Sequence, residues 1–387
     1  MTFHSPHTFI AKAEAESSNT DYKKSIRKSA LEMMRRHVPI IFTLKHLAHL
    51  TNCPYQILYD IVQRKWTPYK EFHILKRNKT LRTISAPIQP LRDVQKFICT
   101  NILYSEFYNQ NVYINAFAYK KETNIFMHAS MHCAARWLIK IDIKNFFPSC
   151  SEILVYNIFK KMGYSCLFSF ELARLTTWPS KESPFFKDSL RQSQYISKKY
   201  SIYTDSNNPL GALPQGAPSC PPLSNLIFFS LDKKLEKIAK SFSCIYTRYA
   251  DDLYFSSHDF SYKDGANLIK SVAQTLGTYG FQLNKEKTKI FNPSHRKCVT
   301  GLIVNESIPT IGKSAKKEIK KHLFFIKKNG IQSQAQYQNS RDANSFLRYL
   351  LGKINYIQMI DSQFASRCMQ QLQEILKNSG YINPKLY

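Results

Sequence analysis

Acid is in short supply in this sequence. Of 387 residues only 27 are aspartate or glutamate, against 55 lysines and arginines, for a formal charge of +28. Such an imbalance points to a polyanionic partner, because each phosphate neutralised releases condensed counterions. A disordered basic tail is excluded by the 13% of aromatic residues, which can build a core. An anionic membrane surface would be the rival partner. No run approaches the roughly 18 apolar residues of a membrane span, and the N-terminal stretch MTFHSPHTFIAKAEAESSNTDYKKSIRKSA lacks the apolar core of a signal peptide. The expectation is a cytoplasmic protein with no membrane partner. Cys-x-x-Cys pairs are missing too. The nine cysteines (Cys53, Cys99, Cys133, Cys150, Cys166, Cys220, Cys244, Cys298 and Cys368) are scattered singly and read as reduced core residues. There is no internal repeat.

The length suits one multi-lobed enzyme or two to three packed subdomains. Residues 1–30 read as a polar arm leading into helical segments around 27–36 and 39–64. Glu71 to Pro87 reads as a hairpin about the turn Lys76-Arg77-Asn78-Lys79. Leu91 to Tyr108 repeats apolar residues at helical spacing, Trp137 to Ile143 reads as a buried strand, and Ile153 to Met162 as the helix after it. The basic stretch 178–210 has no period and is longer than ordinary connections, so it is an inserted functional loop or a locally disordered one. Leu213 to Pro222 is a proline-rich turn opening a helix over Leu223 to Ala239. Cys244 to Ser257 reads as a hairpin with acids at its tip. Helical pattern fills 313–379, with a boundary near 306–312. The whole predicts an α/β or α+β core in three parts: a helical, basic arm over 1–60, a central region over 61–305, and a helical region over 306–387.

Phosphoryl transfer to a growing strand uses two divalent cations, and magnesium prefers hard oxygen ligands. The adjacent Asp251 and Asp252 could supply these only with a third acid from elsewhere. Asp142, at the end of its own strand, could converge with them if the strands lie side by side in one sheet. Singly, an Asp-Asp turn is ordinarily a solvated hairpin, and Asp142 could equally cap a helix.

Tyr249-Ala250-Asp251-Asp252 follows Ile141-Asp-Ile-Lys-Asn-Phe-Phe-Pro-Ser149, with Leu213-Pro-Gln-Gly-Ala-Pro218 between them. In order and spacing these resemble the catalytic motifs of reverse transcriptases, over about residues 60–330. The resemblance implies a right-hand polymerase fold of fingers, palm and helical thumb, with two Mg2+ ions held by Asp142, Ile143, Asp251 and Asp252. It implies that Phe147 is the steric gate against a ribose 2′-hydroxyl, and that Gln215, Gly216 and Tyr249 lie against the incoming nucleotide. Lys76, Lys79 and Arg82 resemble the cations that grip the triphosphate, and Lys287 the lysine proposed to protonate departing pyrophosphate.

A narrower resemblance is to the retron enzymes. His128-Ala-Ser-Met-His132 stands where they carry Asn-Ala-x-x-His, with His128 in place of the asparagine, and Val299-Thr300-Gly301 matches a second hallmark. Position 220, often serine, is Cys220. His128 and His132 would share a helix face; with no His-Glu-x-x-His arrangement, RNA contact or structural hydrogen bonding is preferred to zinc. Val299, Thr300 and Gly301 are taken as RNA-binding with them. Lys316, Lys317, Lys320, Lys321, Lys327 and Lys328, interleaved with apolar residues at helical spacing, would put one face on a core and the other on phosphates.

This resemblance implies a cognate noncoding RNA (msr-msd) as template and primer, dNTPs, a branched msDNA product primed from a guanosine 2′-hydroxyl, and a separate effector or toxin in a phage-defence complex. The alternatives are another prokaryotic reverse transcriptase, from an intron or a different defence system, and an idle RNA-binding scaffold. The lack of a long C-terminal maturase or endonuclease extension argues against the intron.

Overall fold

The computed structural model describes residues 20–75, 81–180, 183 and 210–379. Helices α1 (Thr20–Arg35), α2 (Leu44–Leu50) and α3 (Tyr55–Val62) come first. The helix expected over 39–64 is thus two, divided where Pro54, which has no N–H to donate, occupies the N-cap of α3. Strands β1 (Tyr69–Leu75) and β2 (Leu81–Pro87) pair antiparallel. The Leu91–Tyr108 helix is also interrupted: α4 (Leu91–Phe97) passes into a π-helical turn over Ile98–Leu103 before α5 (Glu106–Asn111) restarts at Ser105.

The central sheet combines β3 (Trp137–Ile143), β4 (Ile245–Tyr249), β5 (Asp252–Ser257) and β6 (Leu283–Phe291) in the order β4-β5-β3-β6, antiparallel throughout. Side chains alternate across a strand. Ile139, Ile141, Ile143, Leu253 and Phe255 therefore face one way, into the main core. That core is covered by α7 (Glu152–Lys161), α8 (Cys166–Thr176), α9 (Cys220–Ser241) and α10 (Tyr262–Thr278). The other face carries Leu138 and Tyr254, which pack under α6 (Ile125–Ser130) and the short hairpin of β7 (Cys298–Val299) and β8 (Leu302–Ile303). This cover reaches only one end of the sheet. Lys140, Asp142 and Asp252, next along on the same face, lie beyond it.

Helices α11 (Lys313–Tyr337), α12 (Ala343–Gln358) and α13 (Ser362–Asn378) enclose a core of their own around Leu323, Phe346, Leu350 and Leu372. α11 is kinked at Gly330, where φ is 79°. Among the cysteines, Cys166 is exposed, against the expectation of a core position: it starts α8, ahead of that helix's buried stripe.

Two buried ion pairs tie these parts together. Arg248 is fully buried and bidentate to Asp232 of α9, through Nε and Nη2 at 2.8 Å each. It also donates to Asn225 Oδ1 at 2.9 Å, and its backbone bonds to Asn115 and Phe117. Glu152 accepts from Arg64 Nη2 (2.9 Å), Thr177 Oγ1 (3.1 Å) and the Gly211 N–H (2.9 Å), and pairs with Arg174. A Cβ at Gly211 would come within 2.6 Å of that carboxylate, so glycine is required there. Beside it, Trp178 and Ala212 exchange N–H···O bonds of 2.9 and 3.0 Å, joining the two ends of the basic stretch expected over 178–210. Most of that stretch lies outside the described residues, and no helix among those described is long and apolar enough to cross a membrane.

Removing one partner of a buried ion pair strands the other charge. Asp232→Ala is expected to cost about 3–5 kcal/mol in denaturant unfolding, and Lys237→Ala on the exposed side of the same helix about 0.5 kcal/mol or less. Equal losses for the two would show that Asp232 does not hold the arginine.

Candidate active site

The β4–β5 connection is a two-residue turn, Ala250 and Asp251, between the paired Tyr249 and Asp252. Ala250 has φ 55°, a left-handed conformation unusual for a residue with a side chain and a form of strain found at functional sites. Arg248 Nη1 reaches its carbonyl at 3.4 Å from below. The register of β3 with β5 sets Asp142 directly opposite Asp252, and the Ile143 N–H donates to the Asp251 carbonyl at 3.0 Å. Asp142 and the distant pair Asp251-Asp252 thus meet at one sheet edge, with Ile143 beside them.

Two lysines share their charge. Lys287 of β6 donates to Asp142 Oδ2 at 3.0 Å, and Lys140 to Asp252 Oδ2 at 2.7 Å while lying 5.5 Å over the Tyr254 ring. No described cation is hydrogen-bonded to Asp251. Burial, then the charges of Asp252 and Asp142, raise its carboxyl to about 6, with Lys287 pulling weakly the other way. Lys140 and Tyr254 were not foreseen, although alternation along Lys140-Ile141-Asp142 puts the lysine on the aspartate's face.

A concentration of carboxylate this strong, made only of hard oxygen donors, fits a divalent cation. Among the described residues no three His, Cys, Asp or Glu side chains converge into a ready metal cage, and Asp142 and Asp252 are each hydrogen-bonded to a lysine. Binding an ion would exchange those lysine contacts for metal ligation.

Phe147 follows β3 on a 3-10 turn, half-buried, 5.2 Å from the Phe146 ring and 6.4 Å from that of Tyr119. Tyr119 is a further unforeseen neighbour: burial, then Asp251 and Tyr249, raise its phenol to about 12. Gln215 and Gly216 lie against β2: the Ser85 N–H donates to Gln215 O at 2.8 Å. Gly216 has φ 119°, and a Cβ there would stand 2.8 Å from Ile84, so glycine is demanded twice over. Arg82 is exposed on β2, opposite Ile74. Lys76 and Lys79 lie outside the described residues.

His128 and His132 are fully buried, so of the two expectations it is structural hydrogen bonding, and not RNA contact, that their surroundings support. Their Nε2 atoms lie 2.7 and 2.6 Å from the Thr247 hydroxyl, and His132 Nδ1 lies 2.7 Å from Ser256. They brace α6 against β4 and β5, and His128 stacks on Tyr249 at 5.5 Å. Val299 is likewise buried and cannot contact RNA through its side chain. Thr300 and Gly301, with φ 46° and 88°, form the tight turn between the paired Val299 and Leu302, the geometry of a type I′ hairpin. On α11, Lys317, Lys320, Lys321, Lys327 and Lys328 are exposed. Lys316 departs from them: half-buried, it is paired with Asp361 at 2.5 Å.

Residues 74–320 match the family model described as reverse transcriptase (RNA-dependent DNA polymerase). The chain is similar to the retron Ec86 reverse transcriptase of Escherichia coli, with 25% identity over 89% of this chain and 92% of that one. It is also similar to the retron Mx162 reverse transcriptase of Myxococcus xanthus, with 29% identity over 80% of this chain and 61% of that one. A solved apo telomerase from Candida tropicalis aligns with a TM-score of 0.36 at 14% identity, over 64% of this chain and 55% of that one.

Burial pushes both histidines from 6.5 down to about 3, and His128 adds to the effect at His132. Between those values the unfolded chain binds protons that the two folded histidines refuse, so their contribution to stability is full above pH 6.5 and is lost as pH falls toward 3. His128→Asn removes one of the two groups and is expected to make the loss about half as steep between pH 6.5 and 4.5. Denaturant unfolding across that range measures it; an unchanged slope would mean that His128 takes up its proton within the fold.

Proposed function

The chain belongs to the reverse transcriptase family and is of its retron type, and on that footing we propose that it copies a structured noncoding RNA into branched msDNA. Its activity is that of an RNA-directed DNA polymerase, which takes an RNA template and nucleotides. The observation that carries the proposal is the β3–β5 register, which brings Asp142 opposite Asp252 with Asp251 beside them. Two magnesium ions at these carboxylates and Ile143 would activate the attacking hydroxyl and steady the triphosphate. Lys287 gives a proton to departing pyrophosphate, a role supported by its hydrogen bond to Asp142. Phe147 bars a ribose 2′-hydroxyl. Gln215, Gly216 and Tyr249 bound the nucleotide's place, and Arg82 with Lys76 and Lys79 binds its phosphates.

In this reading β1–β2 with the central sheet forms fingers and palm over 61–305, behind an arm over 1–60. The separate helical core supports a thumb over 306–387. The exposed lysines of α11 track the template duplex. Priming is from an internal guanosine 2′-hydroxyl of the cognate RNA, and the RNA–DNA hybrid holds a separate effector protein in check for defence against phage.

Expression with the adjoining noncoding DNA tests this. Extracted nucleic acid should contain a short DNA that survives RNase, shifts on debranching, and is lost in Asp251→Ala/Asp252→Ala. DNA without a branch would overturn the priming step, and RNA that co-purifies without DNA would overturn copying itself. Phe147→Ala is expected to raise ribonucleotide incorporation at least about tenfold, a change of about 1.4 kcal/mol in discrimination, measured by competing rNTP with dNTP on a defined template.

A further inference from the structure

Away from the carboxylates, a cavity of about 500 Å³ opens between α7, α9, the end of α5 and the turn after α10. None of the residues placed at the aspartate site lines it. Its floor is apolar, built from Leu154, Ile158, Leu226 and Phe281, and aromatic rings of Phe107, Phe229 and Tyr279 stand at its walls. Its charged lining is wholly cationic: Arg36, Lys160 and Lys161, with no aspartate or glutamate among the described lining residues. Arg36 shares its charge with Glu32, and Lys160 donates to the Tyr164 carbonyl, whereas Lys161 is exposed. Two further lysines cover the wall rings: Lys233 Nζ lies 4.1 Å above Phe229 and Lys234 Nζ 4.9 Å above Tyr279.

We infer that this cavity is a second nucleic-acid site, which takes one nucleotide unit with its base against Phe229 and Tyr279 and its phosphate against Lys161 and Lys160. Flat rings beside cations are the chemistry by which single strands are held, since every base has a π-face and every linkage a negative charge. The volume falls within the range of ordinary small-ligand sites, about 300–1,000 Å³. Asn111, Asn157 and Ser230 add amide and hydroxyl groups to the lining, suited to the polar edge of a base. A cationic peptide is disfavoured by the same charges. The unit could be a base splayed from a bound strand or a free nucleotide, and the two sources share this chemistry.

The purified full chain is irradiated with a uridine decamer carrying 4-thiouridine, and the cross-linked peptides are mapped; a parallel titration uses free UMP and AMP. Cross-links are expected within 226–230 and 279–281. Their yield should fall about tenfold in Ser230→Trp, which fills the cavity, and in Lys161→Glu, while extension of oligo(dT) on poly(rA) is unchanged in both. Saturable UMP or AMP binding that Ser230→Trp abolishes would identify a free nucleotide; cross-linking without it would identify a strand. The inference fails if cross-links map only to α11 and the carboxylate cleft and neither mononucleotide binds, or if signals at the cavity are indifferent to both substitutions. Unchanged melting temperatures in the two variants separate loss of the site from loss of the fold.

Discussion

The carboxylate edge depends on the arginine buried beneath it. Arg248 lies one residue before the tyrosine of the acid-bearing turn, and its guanidinium reaches α9 through Asp232 and Asn225 and the turn itself through the Ala250 carbonyl. Its main chain, bonded to Asn115 and Phe117, fixes the segment that carries Tyr119. An ion pair with no exposed surface contributes little net stability over a well-packed apolar pair. What it supplies is direction: guanidinium and carboxylate meet in a planar, two-bonded geometry that an apolar contact would not impose. The turn is thereby held in a conformation that Ala250 would not choose unaided.

Much of this arrangement was legible in the sequence because it rests on strand alternation and on local turn chemistry. The run Trp137 to Ile143 announced a strand with Asp142 near its end, although Lys140 on the same face went unread. Leu213 to Pro222 announced the turn that Gly216 serves, whereas the turn at Thr300 and Gly301 went unread. Less legible was anything that depends on which elements pack together. Two histidines four residues apart read as one helix face for RNA contact or structural hydrogen bonding, and cover from β7 and β8 with hydrogen bonds to the Thr247 and Ser256 hydroxyls turns them inward. Lys316 read as one of a row of cations, but Asp361, 45 residues later at the start of α13, pairs with it. Helix breaks at Pro54 and Ser105 were obscured by continuous apolar periodicity.

Positive charge serves three distinct ends in this chain. Lys287 and Lys140 lie against acids at the sheet edge, where they offset a negative charge too dense to stand alone. Arg248, Arg64 and Arg174 are spent inside the fold on Asp232 and Glu152. The exposed lysines of α11, with Lys161 beside the α7–α9 cavity, face solvent. The net charge of +28 thus understates how unevenly the cations are assigned.

The reciprocal backbone bonds between Trp178 and Ala212, backed by Glu152 and the required Gly211, fix the exit and the return of the intervening chain at one point. For a flexible loop, closing a segment of twice the length costs only about 0.6 kcal/mol more. Once the two ends are clamped, the central sheet is indifferent to what is strung between them. Lengthening or shortening that segment would therefore leave the carboxylate edge where the clamp and the sheet register hold it.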